Sequence, residues 1–247
     1  MTGQGWRLRC FATLPSTSDH CVSLAATGEP DGLEVLALRQ TAGRGSRGRI
    51  WESPPGNLYL SVLLRPEGLA TDVGRWALGA SVALAEALAP LLPDRAALTL
   101  KWPNDLLLDQ RKLAGILLDS AATPAGGLDW LVIGIGINLA AAPALPDRAA
   151  ACLAECADPP APEDFVPLVL ERLAAWRAFL PTDFARVRAA WLAYGQPIGS
   201  AMQFRQGERL IHGTFGGLAD DGSLLLQTGD QVHVYATGEV LLPGTDN

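Results

Sequence analysis

Apolar residues along this chain alternate between short runs of β type and longer stretches of helical spacing, and beyond Gly195 only the short runs continue. That pattern limits the fold to an α+β class in two parts. Trp6–Phe11 and Leu33–Leu38 read as strands around a helix that begins near Ser16–Asp19 and ends before Gly28. A glycine- and arginine-rich loop leads to a strand at Leu58–Leu64. Thr71 and Asp72 are expected to cap an alanine-rich helix that runs to about Leu88 and closes at Pro90. Leu98–Leu100, Asp105–Leu108, Ala114–Asp119 and Trp130–Ile137 read as four more strands, with a tight hairpin turn near Arg111. From Pro146 to Tyr194 the pattern is helical, and Phe165, Leu168, Leu173, Trp176 and Phe179 form a core stripe at 3–4 spacing.

After Gly195, Met202–Phe204, Arg209–Phe215, Leu224–Gln227, Val232–Ala236 and Val240–Leu242 are short strands with turns such as Asp220-Asp221-Gly222 between them. Such a series predicts a small barrel. The expectation is a mixed-sheet domain with flanking helices over residues 1–195 and a small C-terminal β-barrel domain over 196–247, joined near Pro197.

At 49% hydrophobic and 18% charged, the chain is no disordered polymer. Its net charge of −7 argues against gripping nucleic acid as its main task. Cys10, Cys21, Cys152 and Cys156 are too few for a disulfide scaffold and, with only His20, His212 and His233 to help, show no zinc spacing. Cys152 and Cys156 are expected on one helix face as small buried hydrophobes. The segment Met1–Ser16 carries Arg7 and Arg9 but no apolar core, so no signal peptide is expected. Glu86, or Asn138 and Pro143, break the longest apolar stretches, and a cytoplasmic protein without a membrane segment is expected.

Chemistry concentrates in three segments. Residues 39–51, RQTAGRGSRGRIW, hold Arg39, Arg44, Arg47 and Arg49 and no acid, while Gly43, Gly45 and Gly48 free the backbone to turn and expose N–H groups. Guanidinium forks and bare amides suit carboxylate or phosphate. A solvated surface loop or an RNA patch is the alternative. The loop is neither a P-loop nor a dinucleotide fingerprint, because it has no Gly-Lys-Ser/Thr and the wrong glycine spacing. Lys101-Trp102-Pro103-Asn104-Asp105 and Lys112-Leu113-Ala114-Gly115 contain both lysines of the chain, against 17 arginines. Lysine kept only here points to a compact, mobile ammonium acting on phosphate; two surface lysines at the ends of a hairpin are the alternative. Gly134 and Gly136 interrupt a buried strand that ends at Asn138, a sign of close approach by a ligand or another backbone.

Taken in this order, the arginine–glycine loop, KWPND and KLAGIL make the chain resemble the biotin protein ligases over nearly its whole length. The resemblance implies a biotin/lipoate ligase-like catalytic domain with an SH3-like C-terminal barrel. It also implies the reaction. Biotin carboxylate attacks the α-phosphorus of ATP, pyrophosphate leaves, and a lysine of a biotin carboxyl carrier protein domain then attacks biotinyl-5′-AMP, with Mg2+ assisting. No protein nucleophile is required, so positioning and charge neutralisation carry the work.

Carried over by position, Ser16, Thr17, Gln40 and Gly115 fall at biotin, and Arg44 and Lys112 at the reacting carboxylate and α-phosphate. Arg47, Arg49, Trp51, Lys101, Asn104, Gly136 and Asn138 fall on the nucleotide side. Asp105 is the candidate to assist the incoming amine or hold metal. The Gly43–Arg49 loop is expected to fold over the acyl adenylate as a lid. Ser18 and Ser46 depart from the family's usual asparagine and arginine, and Ser46 raises the expectation of faster release of the intermediate. The catalytic pattern begins by Trp6, so no N-terminal DNA-binding domain is expected and DNA is not an expected partner. Lipoate ligation, non-catalytic biotin sensing and RNA binding are the rival readings. An exposed edge strand is open to weak homodimer formation or to the carrier.

Overall fold

The structure is a computed structural model, and it describes residues 5–144 and 149–241. Seven strands form one sheet: β1 (Arg7–Phe11), β2 (Leu33–Ala37), β3 (Leu58–Leu64), β4 (Leu98–Lys101), β5 (Asp105–Leu108), β6 (Arg111–Ala122) and β7 (Leu128–Ile137). Their order is β1-β2-β3-β7-β6-β5-β4. Only β1 and β2 run parallel, because the helix α1 (Thr17–Ala26) crosses between them. The other neighbours are antiparallel and joined more directly. Asp109 and Gln110 make the β5–β6 hairpin with φ of 48° and 62°, beside Arg111 as expected.

Helices cover both faces, which is why all seven residues of β3 are buried. On one face Cys21 and Ala25 of α1 pack on Leu33, Val35, Leu63 and Val132. On the other lie α2 (Val73–Leu88), α3 (Pro162–Arg177) and α4 (Phe184–Tyr194), with Leu60, Val62, Ile133 and Ile135 among the strand residues of one large core. Pro162 at the start of α3, Glu163 and Asp164 in its first turn and Arg177 in its last match the helix dipole.

The C-terminal strands are β8 (Ala201–Gln206), β9 (Arg209–Leu218), β10 (Leu224–Thr228), β11 (Gln231–Tyr235) and β12 (Glu239–Leu241). They form an antiparallel sheet in the order β11-β10-β9-β8-β12, and among the described residues its end strands β11 and β12 are not hydrogen-bonded to each other. The small barrel is thus represented by an open five-stranded sheet. Its inner face shares the large core: Trp102 lies 6.1 Å from Phe204 between ring centroids and donates through Nε1 to the carbonyl of Gly222 at 3.1 Å.

Three local expectations are corrected. Asp72 occupies the N-cap of α2 but its side chain caps nothing; it pairs at 3.7 Å with Arg75, while Thr71 lies in a preceding 3-10 turn. The helical reading of 146–194 holds only from Pro162, since residues 149–161 contain a single short 3-10 turn at Leu153–Glu155. Proline at 159 and 160 explains the delay, since each lacks an amide donor and disfavours helical backbone in the residue before it, while Pro162 takes the first helical position of α3, where its missing donor is not needed. Residues 146–148 of that reading, and Leu242, lie outside the described residues. Cys152 and Cys156 flank the 3-10 turn instead of sharing a helix face, Cys152 buried and Cys156 exposed.

Candidate active site

Two small clefts lie side by side where α1, the 43–51 loop and strands β6 and β7 meet. The first is walled by Ser16, Thr17, Ser18 and Gln40 at a polar end, by Ile116, Leu117 and Ile135, and by Arg44 and Asn104. The second is walled by Arg49, Ile50, Glu52, Asn138, Pro143 and Ala150. Gly45, Ser46, Trp51 and Lys112 border both. Each cleft leaves about 40 Å³ free.

Trp51 fills the space between. Gly115 of β6 and Gly136 of β7 are cross-strand partners. A Cβ on Gly136 would stand 2.5 Å from Trp51 Cε2, and one on Gly115 3.0 Å from Cζ3. The two glycines, expected where a ligand approaches, here seat an indole. Lys112 Nζ sits 5.4 Å from the centre of that ring, and Trp51 Nε1 is buried without a hydrogen-bond partner.

The polar end is a chain of hydroxyls. Gln40 Oε1 accepts from the Thr17 amide at 2.8 Å and from Thr17 Oγ1 at 3.1 Å, and Gln40 Nε2 donates to Ser53 Oγ at 3.1 Å. Ser61 Oγ donates to Thr17 Oγ1 at 2.8 Å and lies 3.2 Å from Ser18 Oγ. Ser16 caps α1 by accepting from the Asp19 amide at 3.2 Å. Ser61 and Ser53 were not anticipated from sequence; the signal for Ser61 is a lone serine within the apolar strand LYLSVLL.

At the junction both lysines converge on one carboxylate. Lys101 Nζ is 2.9 Å from Asp105 Oδ2 and Lys112 Nζ is 2.5 Å from Oδ1, with all three side chains nearly buried. Burial works to raise the Asp105 carboxyl, but the flanking ammoniums of Lys101 and Lys112 overwhelm it and hold it well below the usual carboxylate range. With both oxygens engaged by ammoniums, Asp105, expected to assist the amine or hold metal, here anchors Lys101 and Lys112. Among the described residues no group of three metal-ligating side chains occurs. The Lys112 backbone is itself anchored, donating to Ala149 O at 3.0 Å and accepting from Ala151 N at 2.9 Å.

The 43–51 loop closes on itself as a compact hairpin, with Trp51 N donating to Gly43 O and Gly45 N to Arg49 O. Arg44 Nε pairs with Asp19 and Nη2 with Asp119, each at 2.8 Å. Arg49 borders the second cleft, whereas Arg47 borders neither and reaches Glu239 instead. Lys101 borders a separate cleft under the C-terminal sheet. Asn104 stands on the first cleft and donates to Ile116 O at 2.5 Å. Asn138 lies on the second, with Nδ2 donating to Ala151 O at 3.1 Å and a buried Oδ1 without a partner. Asp19, Asp119 and Glu239 had no sequence signal, since each meets its arginine across distant segments.

The biotin/lipoate A/B protein ligase family profile matches residues 11–138, which contain both clefts' strands, the loop and the lysine pair. The chain belongs to that family. A profile of the biotin protein ligase C-terminal domain matches residues 198–242. The chain is 37% identical to the biotin–[acetyl-CoA-carboxylase] ligase of Paracoccus denitrificans over 95% of its length and 100% of that protein. It is 30% identical to the bifunctional ligase/repressor BirA of Bacillus subtilis over 96% of its length and 74% of that protein. Among solved structures, the biotin protein ligase from Aquifex aeolicus in complex with biotin and ATP superposes with a TM-score of 0.78 at 28% identity, covering 96% of this chain and 98% of that one. In this ligase family setting, the arginine–glycine loop and the lysine pair stand at one junction.

Proposed function

We propose that this chain is an ATP-dependent biotin protein ligase that makes biotinyl-5′-AMP and passes biotin to a lysine of a biotin carboxyl carrier protein domain. The observation that carries the reading is the pair of adjoining clefts with Lys112 bordering both. An ammonium there reaches the carboxylate of a ligand in the first cleft and the α-phosphate of a ligand in the second. A carboxylate oxygen attacks the α-phosphorus and pyrophosphate departs. The carrier lysine then attacks the acyl carbon and AMP departs. Both steps bring anions together, so the protein's work is neutralisation and alignment.

Ser16, Thr17, Gln40 and Gly115 are assigned to biotin, and Arg44 and Lys112 to the reacting groups. Arg49, Trp51, Gly136 and Asn138 are assigned to the nucleotide, with Arg47 acting through the loop. Lys101 and Asp105 hold Lys112 in place. Magnesium enters as part of the ATP substrate, carried on its phosphates. Residues 1–195 are proposed as the catalytic domain and 196–247 as the second.

The carrier is proposed to belong to a biotin-dependent carboxylase. A net charge of −7 favours a role without DNA. No described helix is long and apolar enough to cross a membrane, and four unpaired cysteines suit the cytoplasm. Arg7 and Arg9 on the exposed edge β1 oppose pairing with a second copy, so any homodimer is proposed to be weak.

The test is transfer. Incubation with biotin, Mg-ATP and a biotin carboxyl carrier domain labels that domain at one lysine, and a Lys→Arg carrier stays unlabelled. A carrier labelled by lipoate and not by biotin contradicts the reading.

A further inference from the structure

Arg47 and Arg49 leave the loop toward the C-terminal sheet and end on the same carboxylate. Arg47 Nη1 donates to Glu239 Oε2 at 2.5 Å and Arg49 Nη1 to Oε1 at 2.7 Å. Glu239 is the first residue of β12, and the next, Val240, accepts from Lys101 Nζ through its carbonyl at 3.2 Å. A strand of three residues therefore touches both the loop and the lysine pair.

Arg49 is fixed on three sides. Its Nε and Nη2 donate to Ser46 O at 3.3 Å and Ser46 Oγ at 3.2 Å, and Nη1 to Glu239. So held, it borders the second cleft. Arg47 has φ of 60°, a left-handed conformation unfavourable for arginine that persists where surrounding contacts impose it. The Glu239 contact is such a restraint. Arg47 and Arg49 meet on Glu239 as Lys101 and Lys112 meet on Asp105, so the loop and the lysine pair are each tied to one carboxylate.

We propose that Glu239 is a positioning residue for the nucleotide half of the site, latching the 43–49 loop to the C-terminal sheet and presenting Arg49 to the polyphosphate. The inference rests on the assignment of the second cleft to ATP. It gives the C-terminal sheet a defined part in the reaction, through one side chain that does not touch substrate.

Glu239→Gln removes the charge and one acceptor, and Glu239→Asp keeps the charge on a shorter stem. Two partly exposed charge-assisted hydrogen bonds correspond to about a tenfold effect. In the ligand-free protein, trypsin cleavage after Arg47 and Arg49 is expected to rise about tenfold in Glu239→Gln and less in Glu239→Asp. In ATP–pyrophosphate exchange, KM for ATP is expected to rise by about the same factor, with KM for biotin and kcat within about twofold of wild type. Adding Glu239→Gln to Arg49→Gln is expected to change KM for ATP little further.

Unchanged trypsin cleavage overturns the latch. Faster cleavage with unchanged KM for ATP overturns the positioning role, and equal rises in both KM values mark a structural residue and overturn it too. If wild type itself shows no biotin-dependent exchange, the ATP assignment fails separately, and the trypsin ratio still decides whether Glu239 holds the loop. Should Glu239→Gln not fold, Glu239→Asp supplies the same comparisons.

Discussion

Gly115 and Gly136 face each other across β6 and β7, and the space their missing side chains leave is occupied by the indole of Trp51. The ring borders both clefts and so bears on any ligand in either. Trp51 thus stands between the two clefts, where it was expected to cover the adenylate.

Gly136→Ala puts a methyl group where the indole lies. Overpacking of this kind costs about 1–3 kcal/mol of folding stability, and a loss of that order is expected in urea denaturation. Gly115→Ala, with its 3.0 Å contact, is milder. The Trp51 contribution to fluorescence, obtained by difference against Trp51→Phe, shifts in Gly136→Ala before any ligand is added. Wild-type stability with an unshifted spectrum contradicts the seating.

Lys112→Met removes the only ammonium among the described residues that borders both clefts. Loss of one preorganised charge of this sort costs about 10²–10³ in rate. Lys112→Arg is expected to recover little, because a planar fork cannot keep the 2.5 Å contact with Asp105 and reach the reacting oxygens. Single-turnover adenylate formation followed by mass spectrometry measures both variants.

Ser61→Ala breaks the hydroxyl chain that joins Thr17 to Ser18. One buried hydrogen bond contributes about 1 kcal/mol, so biotin affinity is expected to fall about fivefold by calorimetry while KM for ATP is unchanged. Equal effects on both substrates contradict the division between the two clefts.

Glu34 is 2% exposed in β2, and its Oε1 has no partner. Burial pushes its carboxyl up to about 7, against a small opposing effect of Arg7. The sign follows from the unfolded chain ionising first. The protein is most stable with respect to this group below the ordinary glutamate range near 4.5, and loses that stability as pH rises from there to about 7. Glu34→Gln is expected to be more stable than wild type at pH 8 by up to roughly 3 kcal/mol, at about 1.4 kcal/mol per unit, and equal to it at pH 4. Urea denaturation at the two pH values measures the difference.

Much of this was legible in the chain. The arginine–glycine loop, KWPND and KLAGIL are local strings, and their residues meet because β5 and β6 form one hairpin with Gly115 opposite Asp105. Two lysines among 17 arginines marked the pair that shares Asp105. The partners of the loop arginines were not legible. Arg44 meets Asp119 across 75 residues and Arg47 meets Glu239 across 192, and no periodicity encodes such pairings. Asp105 read as a reactive carboxylate because sequence does not show which charges surround it. Residues 149–161 read as helix because small apolar residues fit either state, and backbone pairing of this segment with Lys112 took precedence over helix propensity.

The most direct test of two clefts joined at Lys112 is ATP–pyrophosphate exchange by the purified protein with Mg-ATP, adding biotin or lipoate in parallel. Exchange that depends on biotin and falls about 10²-fold or more in Lys112→Met is the predicted result. Biotin binding with no exchange, or exchange with lipoate alone, contradicts the account.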